Sequence, residues 1–546
     1  MSESATHAAG IGAGRPLALW LYAAMLLTLL LQVGWCGLPF HYPHGWHAAD
    51  QAVMARNFAR EGVQALRGVP LRNNPPVGAE PDVYIHWPSA APILLSVVFR
   101  LVGASEAVYH GWSAALLVVF CATLHAVLRE RYSRRVAGIA VFAVLVMPVT
   151  AGYAHALGNT WLTLSLELLS LLAFVRATSG TRVQPGWALL GGAGVAAGVA
   201  TSWFAIMLPP ALLAAACCRR DRRQIRLALA YGAVAAATAA GVLGLFLSAA
   251  PQLAENLWRT LLYRMNLTDF ATTQLHVHTV VDQTQFTNGM SAGRAVARGY
   301  ENAVAMLGAL PMLAMATVVA AGWVWRRQVA EDPAYVLFAG LYLPWLGWAA
   351  AMPQHMAHHD IAMQLLVPTA AAAFGLCGDA VLDLVARVPD GGVHRVARAV
   401  VTVIAPMMML LPLLQAVGAV TLGTGAATDA ATVAYATDIR SATPPNAIVI
   451  VPMPSMVPVY YAERHLIRGV QDPDTLRWVN DRLPALFPGA PVYLALPPEG
   501  ASPPALRHVG DEFPLVRATA ALRLYEIGPR GDADEAPASH TGRVPP

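Results

Sequence analysis

The sequence predicts an α-helical polytopic membrane protein with a small C-terminal α/β domain outside the membrane, and three observations predict it. Of 546 residues, 56% are hydrophobic and only 12% charged, whereas soluble domains carry about 25% charged residues. Apolar runs near the length a membrane-crossing helix needs, about 20 residues, recur from Leu17 to Val420. The arginines that separate them fall in alternate loops. A net charge of +4 over this length gives no electrostatic footprint for nucleic acid, so none is expected as a partner. The five cysteines have no zinc-type spacing and imply neither a disulfide framework nor a thiol catalyst.

Eleven runs read as spans: Leu17–Cys36, Glu106–Leu128, Val136–Gly152, Ala156–Val175, Trp187–Ser202, Trp203–Cys218, Leu227–Ala249, Ala303–Trp325, Ala334–Ala351, Ile361–Val385 and Ala399–Val420. The first is longer than the apolar core of a signal peptide, about 7–15 residues, and is read as an uncleaved span. Short cytoplasmic loops retain positive charge. Arg129, Arg131, Arg134 and Arg135, then Arg176 and Arg182, then Arg219 to Arg226, then Arg326 and Arg327, then Arg387, Arg395 and Arg398 mark them. Residues 1–16 are therefore expected in the cytoplasm, 17–425 as the membrane module with an outer loop over 37–105, 430–528 as the extracytoplasmic domain and 529–546 as a disordered polar tail. In that domain, strands are expected at Ala447–Val451, Val457–Tyr461, Val492–Leu496 and Leu522–Ile527, with a helix over Asp472–Leu486, because short apolar runs alternate with helical patterns.

Polar chemistry is densest in the first outer loop. His47–Glu61 reads as a short helix in which His47, Asp50 and Gln51 stand at i, i+3 and i+4 and so share a face. Ser89–Leu101 reads as a second apolar helix, too short to span, that follows Tyr84, His86, Trp87 and Pro88 and belongs in the interface. A carboxylate beside histidines at the membrane surface is suited to general-base work on an acceptor hydroxyl. A later loop reads MPQHMAHHDIAM over Met352–Met363, dense in the imidazole and thioether ligands that favour soft metals. No second such cluster lines a span, which weighs against metal transport. Glu167 lies inside a predicted span, where an ionisable group is costly. Tyr460, Tyr461, Arg464 and Arg468 read as an aromatic and basic loop surface.

These motifs resemble the GT-C superfamily of polytopic glycosyltransferases, nearest to its bacterial members of the protein O-mannosyltransferase and lipid A aminoarabinose transferase type. There the first span precedes an acidic motif and a small-residue helix ending in A-R-N and Gly, matched by Asp50, Gln51, Ala55, Arg56, Asn57 and Gly62. A tyrosine and a His-Pro-like turn come next, matched by Tyr84, His86 and Pro88, then an interfacial helix ending in F-x-x-x-G, matched by Phe99 and Gly103. His358, His359 and Asp360 match a later outer loop with histidine and acid. Gln51 stands where several relatives carry glutamate, a departure from any two-carboxylate metal scheme.

The resemblance implies a bacterial inner-membrane glycosyltransferase that moves a sugar, with inversion, from a polyprenyl-phosphate carrier to a glycolipid, glycan or protein acceptor. It implies Asp50 as the general base or the group that positions the acceptor, His47, Gln51, Arg56, Tyr84, His86, His358, His359 and Asp360 as substrate-binding residues, and leaves open a divalent cation. The leaving phosphate needs cationic partners, for which His86, His359, Arg259, Arg264, Arg294 and Arg298 are candidates. The alternatives are a membrane transporter or flippase, and a non-catalytic scaffold of the same shape.

Overall fold

The computed structural model describes residues 11–40, 45–73, 82–84, 87–249, 251, 253–265, 267, 291–324, 334–358, 360–387, 392–421, 426–509 and 512–527. The chain divides into two compact units, one comprising Met1–Pro70, Val83–Thr273 and Thr284–Asp429, the other Leu71–Asp82, Gln274–Gln283 and Ala430–Pro546.

The first unit is built of helices. They are α1 (Ile11–Cys36), α2 (Gly45–Glu61), α3 (Ala90–Val102), α4 (Glu106–Arg129), α5 (Arg134–Val146), α6 (Pro148–Tyr153), α7 (Gly158–Ala177), α8 (Pro185–Thr201), α9 (Leu208–Cys218) and α10 (Arg222–Ala249). Next come α11 (Leu253–Arg264), α12 (Ala292–Leu307), α13 (Ala309–Val324), α14 (Ala334–Ala351), α15 (Pro353–His358), α16 (Val367–Arg387), α17 (Gly392–Ala399) and α18 (Ala405–Thr421). Among the described residues six helices are long and apolar enough to cross a membrane, and a seventh span results if α12 and α13, bent by 117°, count as one.

The expected count of eleven differs because several apolar runs are interrupted. Val136–Gly152 divides at Met147, whose extended backbone (ψ 138°) is imposed by Pro148 behind it and lets α6 start on that proline. Trp203–Cys218 begins as a 3₁₀ turn over Trp203–Met207, with the Ser202 hydroxyl accepting from the Phe204 N–H, before α9 starts. Ala303–Trp325 breaks at Gly308. This residue has φ +87° and donates its N–H to the Val304 carbonyl, a helix stop at a positive φ that a side chain would strain.

The core of this unit packs α7 against α4 and α8, α5 against α16, and α1 against α18. Phe120 and Trp161 meet inside it with ring centroids 5.1 Å apart. At one end Arg135 forks between Asp379 and Asp383, one turn apart on α16, and Arg176 pairs with Glu130 at 2.7 Å.

In the second unit, α19 (Ala426–Ala442), which starts in the first unit, leads into a five-stranded sheet: β1 (Ile448–Val451), β2 (His465–Arg468), β3 (Val492–Leu496), β4 (Leu515–Ala518) and β5 (Arg523–Glu526), in the order β2-β1-β3-β5-β4. β1 runs parallel to both β2 and β3, and β5 and β4 add antiparallel. The crossovers carry α20 (Val457–Ala462) between β1 and β2, and α21 (Pro473–Asn480) and α22 (Leu483–Leu486) between β2 and β3. Parallel strands need such covering helices. Leu476, Val479 and Leu483 pack on Ile448, Ile450, Ile467 and Leu494.

Two expectations change here. Val457–Tyr461 is a short helix, not a strand, because Pro458 removes a ladder donor yet suits a first helical turn. Arg464 and Arg468 are buried, not a loop surface. Arg464 closes the end of α19, donating to the Arg440 and Thr443 carbonyls at 2.7 Å each. Arg468 pairs with Asp82 at 2.8 Å, with side chains 2% and 11% exposed. Beside it the Asn73 amide donates to the Leu466 carbonyl at 3.1 Å and accepts from the Leu466 N–H at 3.2 Å, closing the open edge of β2.

Removing one member of a buried ion pair leaves the other charged and desolvated. Asp82→Ala should therefore lower the stability of this unit by about 3–5 kcal/mol. Arg477→Ala, which deletes the exposed Arg477–Asp474 pair, should cost less than about 1 kcal/mol. Thermal unfolding of the full chain in detergent, monitored by limited proteolysis of the C-terminal region, reads both.

Candidate functional site

The polar residues of the first loop are carried on α2. His47, Asp50, Gln51, Arg56 and Asn57 are all buried there, Asp50 with no exposed surface at all. Small residues make this possible. Ala48, Ala49, Ala52 and Ala55 allow α2 to approach α3 closely. At its start, a Cβ on Gly45 would sit 2.8 Å from the Phe40 carbonyl carbon. Its far end is closed by Arg100 of α3, which donates to the Phe58 carbonyl at 2.9 Å and the Ala59 carbonyl at 3.1 Å. The apolar helix α3 thus supplies a cation that fixes the polar helix.

Beneath α2 the backbone is irregular. Between α6 and α7 three successive carbonyls, of Ala154, His155 and Ala156, have side-chain donors on α4: Ser113, His110 (3.2 Å) and Tyr109 (2.9 Å) respectively. A carbonyl only accepts, so His110 carries its proton on Nδ1. The next turn starts α7 and presents Asn159, whose Oδ1 accepts from His47 Nε2 at 3.2 Å. The same reasoning protonates His47 at Nε2. Tyr109 also lies within electrostatic reach of Asp50. Phe40, Trp35 and His155 fill the space around these groups, with Trp35 and His155 ring centroids 4.1 Å apart.

A second group forms around Tyr84, which is buried, its N–H donating to the Pro70 carbonyl at 2.9 Å. Arg264, the last residue of α11, lies within electrostatic reach of Tyr84 and Tyr263. Burial pushes the Arg264 guanidinium below its ordinary range, and the two tyrosines offset part of that. Of the four arginines considered for the leaving phosphate, Arg259 pairs with Glu255, Arg298 with Glu301 at 3.1 Å, and Arg294 is exposed. Arg264 has no carboxylate partner among the described residues.

Of the other expected site residues, His86 and His359 lie outside the described residues, and of His358 and Asp360 only the backbone is described, at the end of α15 and the start of a 3₁₀ turn. His355 is the neighbour that sequence reasoning passed over. Its Nδ1 accepts from Trp348 Nε1 at 3.3 Å, and the Trp87 ring lies 6.0 Å away, edge-on. Trp87 comes directly after His86, so this contact joins the first loop to the MPQHMAHHD segment. Asn302 of α12 anchors that segment, donating to the Met356 and Ala357 carbonyls at 3.2 and 3.1 Å. The signal in the sequence was spacing, since His355 stands three residues before His358 on one helical face. Glu167 is elsewhere, lining a cavity of about 20 Å³ with Gly340, Pro344 and Pro368, room for one water. Among the described residues no three His, Cys, Asp or Glu side chains are arranged to hold a metal ion.

Residues 86–246 match the family described as dolichyl-phosphate-mannose-protein mannosyltransferase. No curated protein matches the chain. Among solved structures the chain is similar to ArnT from Cupriavidus metallidurans bound to undecaprenyl phosphate, with 13% identity, 94% of this chain and 98% of that one covered, and a TM-score of 0.62. It is also similar to the oligosaccharyltransferase AglB from Archaeoglobus fulgidus in complex with an inhibitory peptide and a dolichol-phosphate, with 13% identity, coverage of 88% and 69%, and a TM-score of 0.53.

Tyr109→Phe keeps the ring against Phe40 but leaves the Ala156 carbonyl without its donor, so it should destabilise the protein by about 1–3 kcal/mol. Thr123→Ala, which removes only a local bond to the exposed Val119 carbonyl, should leave the melting temperature in detergent unchanged.

Proposed function

We propose that this chain, which has the fold of the GT-C membrane glycosyltransferases, moves a sugar from a polyprenyl-phosphate carrier to an envelope glycolipid, polysaccharide or protein on the outer face of the inner membrane. Arg264 carries the reading. A half-buried guanidinium, beside a tyrosine and without a carboxylate partner among the described residues, is suited to take an anion, and phosphate is the anion its fork matches. The lipid tail of the carrier must stay in the bilayer, so its phosphate is confined to the headgroup level where the loops lie. Undecaprenyl phosphate in the ArnT structure and dolichol-phosphate in the AglB complex support a donor of this class.

In this reading the acceptor hydroxyl attacks the anomeric carbon from the face opposite the phosphate. Asp50 takes its proton as the new bond forms, and the bond from the anomeric carbon to the phosphate oxygen breaks. The carrier leaves as polyprenyl phosphate, its growing negative charge stabilised by Arg264 and the hydroxyl of Tyr84. His47, held by Asn159 with its proton on Nε2, orients α2 under the acceptor. Arg56, Gln51 and the His86 and His358–Asp360 segments complete the binding of sugar and phosphate. The complete burial of Asp50 keeps bulk water from competing with the acceptor.

The test is sugar transfer by the purified full chain from a polyprenyl-phosphate sugar, read by mass spectrometry of products. Asp50→Asn should fold and bind donor yet lose about 10²–10⁴-fold in rate, the share general-base catalysis supplies. Full activity in that variant removes Asp50 as the base. Arg264→Gln should raise the KM for donor as well as lower kcat, whereas Arg294→Gln should change neither. Release of the lipid carrier from one leaflet to the other without any change of mass would place the chain among transporters instead.

A further inference from the structure

One end of the helix bundle carries arginines from two separate loops, and the structure joins them. Arg223 donates to the Gly180 carbonyl, and the Gln224 amide reaches Thr178 at 3.5 Å, so the turn before α8 and the turn before α10 form one surface. On it Arg182, Arg220, Arg222 and Arg226 are exposed and have no ion-pair partner among the described residues. The acids in reach are already engaged. Asp221 accepts from the Arg223 and Gln224 N–H groups at 2.9 and 3.3 Å and from the Arg223 side chain, and Glu130 is taken by Arg176.

This arrangement is unfavourable by itself. Arg222 and Arg226 stand at i and i+4 at the start of α10, where like charges repel and the helix dipole is already positive. The rest of α10 fixes their depth. From Leu227 to Ala249 the helix contains no charged residue, so the arginines stand at the border of its membrane-crossing stretch. Trp187, on the first turn of the adjacent α8, lies under the Arg176 guanidinium at 4.6 Å, a tryptophan at the level where membrane interfaces hold them.

We propose that Arg182, Arg220, Arg222 and Arg226 form a docking surface for the phosphate of an anionic phospholipid headgroup. A net-negative headgroup neutralises the i, i+4 repulsion, and its two unesterified phosphate oxygens match a guanidinium fork. A zwitterionic lipid brings its own ammonium to the same surface and gains less. The proposal is independent of the transferase reading.

The test is native mass spectrometry of the purified full chain titrated with phosphatidylglycerol or phosphatidylcholine. The wild type should retain phosphatidylglycerol in preference to phosphatidylcholine. The triple variant Arg220→Gln, Arg222→Gln, Arg226→Gln should lose that preference and weaken phosphatidylglycerol binding by more than about tenfold, since each such charge contributes about fivefold near an anionic surface. Arg477→Gln, Arg507→Gln, Arg517→Gln, exposed on the second unit, should behave as wild type. Should the triple variant fail to fold, Arg222→Gln alone should weaken binding about fivefold. Equal retention of the two lipids by wild type, an undiminished preference in the variant, or displacement of phosphatidylglycerol by millimolar inorganic phosphate would each overturn the proposal.

Discussion

Backbone polar groups withdrawn from water must find partners inside the protein, and in this bundle that constraint decides where the chain is allowed to be irregular. The turn at Ala154–Ala156 persists because Tyr109, His110 and Ser113 meet its three carbonyls from α4. With that turn in place, α7 starts where Asn159 can hold His47, and Tyr109 stands near Asp50. Within α14, Pro344 withholds a donor from the ladder, and the Thr369 hydroxyl adds one from outside the helix, to the adjacent Leu341 carbonyl. The proposed site therefore borders a place where helical regularity was exchanged for side-chain donors.

The arginines divide by what neutralises them. Arg464 and Arg468 are buried and structural, satisfied by carbonyls and by Asp82. Arg135 and Arg176 tie helix ends together through carboxylates. Arg264, and at the border of α10 Arg220, Arg222 and Arg226, lack such partners among the described residues. Unneutralised cations at a membrane border are the places to expect phosphate, from a lipid-linked donor in one case and a headgroup in the other.

Much of this was legible from residue patterns, and the failures share causes. The α2 helix shows in its interleaved alanines, and the strands Ile448–Val451 and Val492–Leu496 lie where short apolar runs are read as strands. Pro148 and Gly308 broke runs whose composition was uniformly apolar, because hydropathy averages over the single residue that ends a helix. β2 reads HLIR and was missed since its end residues are polar. Their partners include Phe487, 4.7 Å from the His465 ring, and Asp82, 386 positions distant from Arg468. His355 was not singled out for the same reason, as its ring partner Trp87 comes from the first loop, far away in the chain. Choosing Arg264 among four arginines needed their ion pairs, which one-dimensional pattern does not contain.

In the proposed reaction Asp50 removes a proton from an acceptor while a polyprenyl phosphate departs. The most direct measurement compares intact masses of envelope glycolipids and glycoproteins from a strain lacking this chain, rescued at equal expression with wild type or with Asp50→Asn. One sugar increment should disappear in the deletion, return with the wild type and stay absent with the variant. Identical masses in all three strains, or full recovery by the variant, would contradict it.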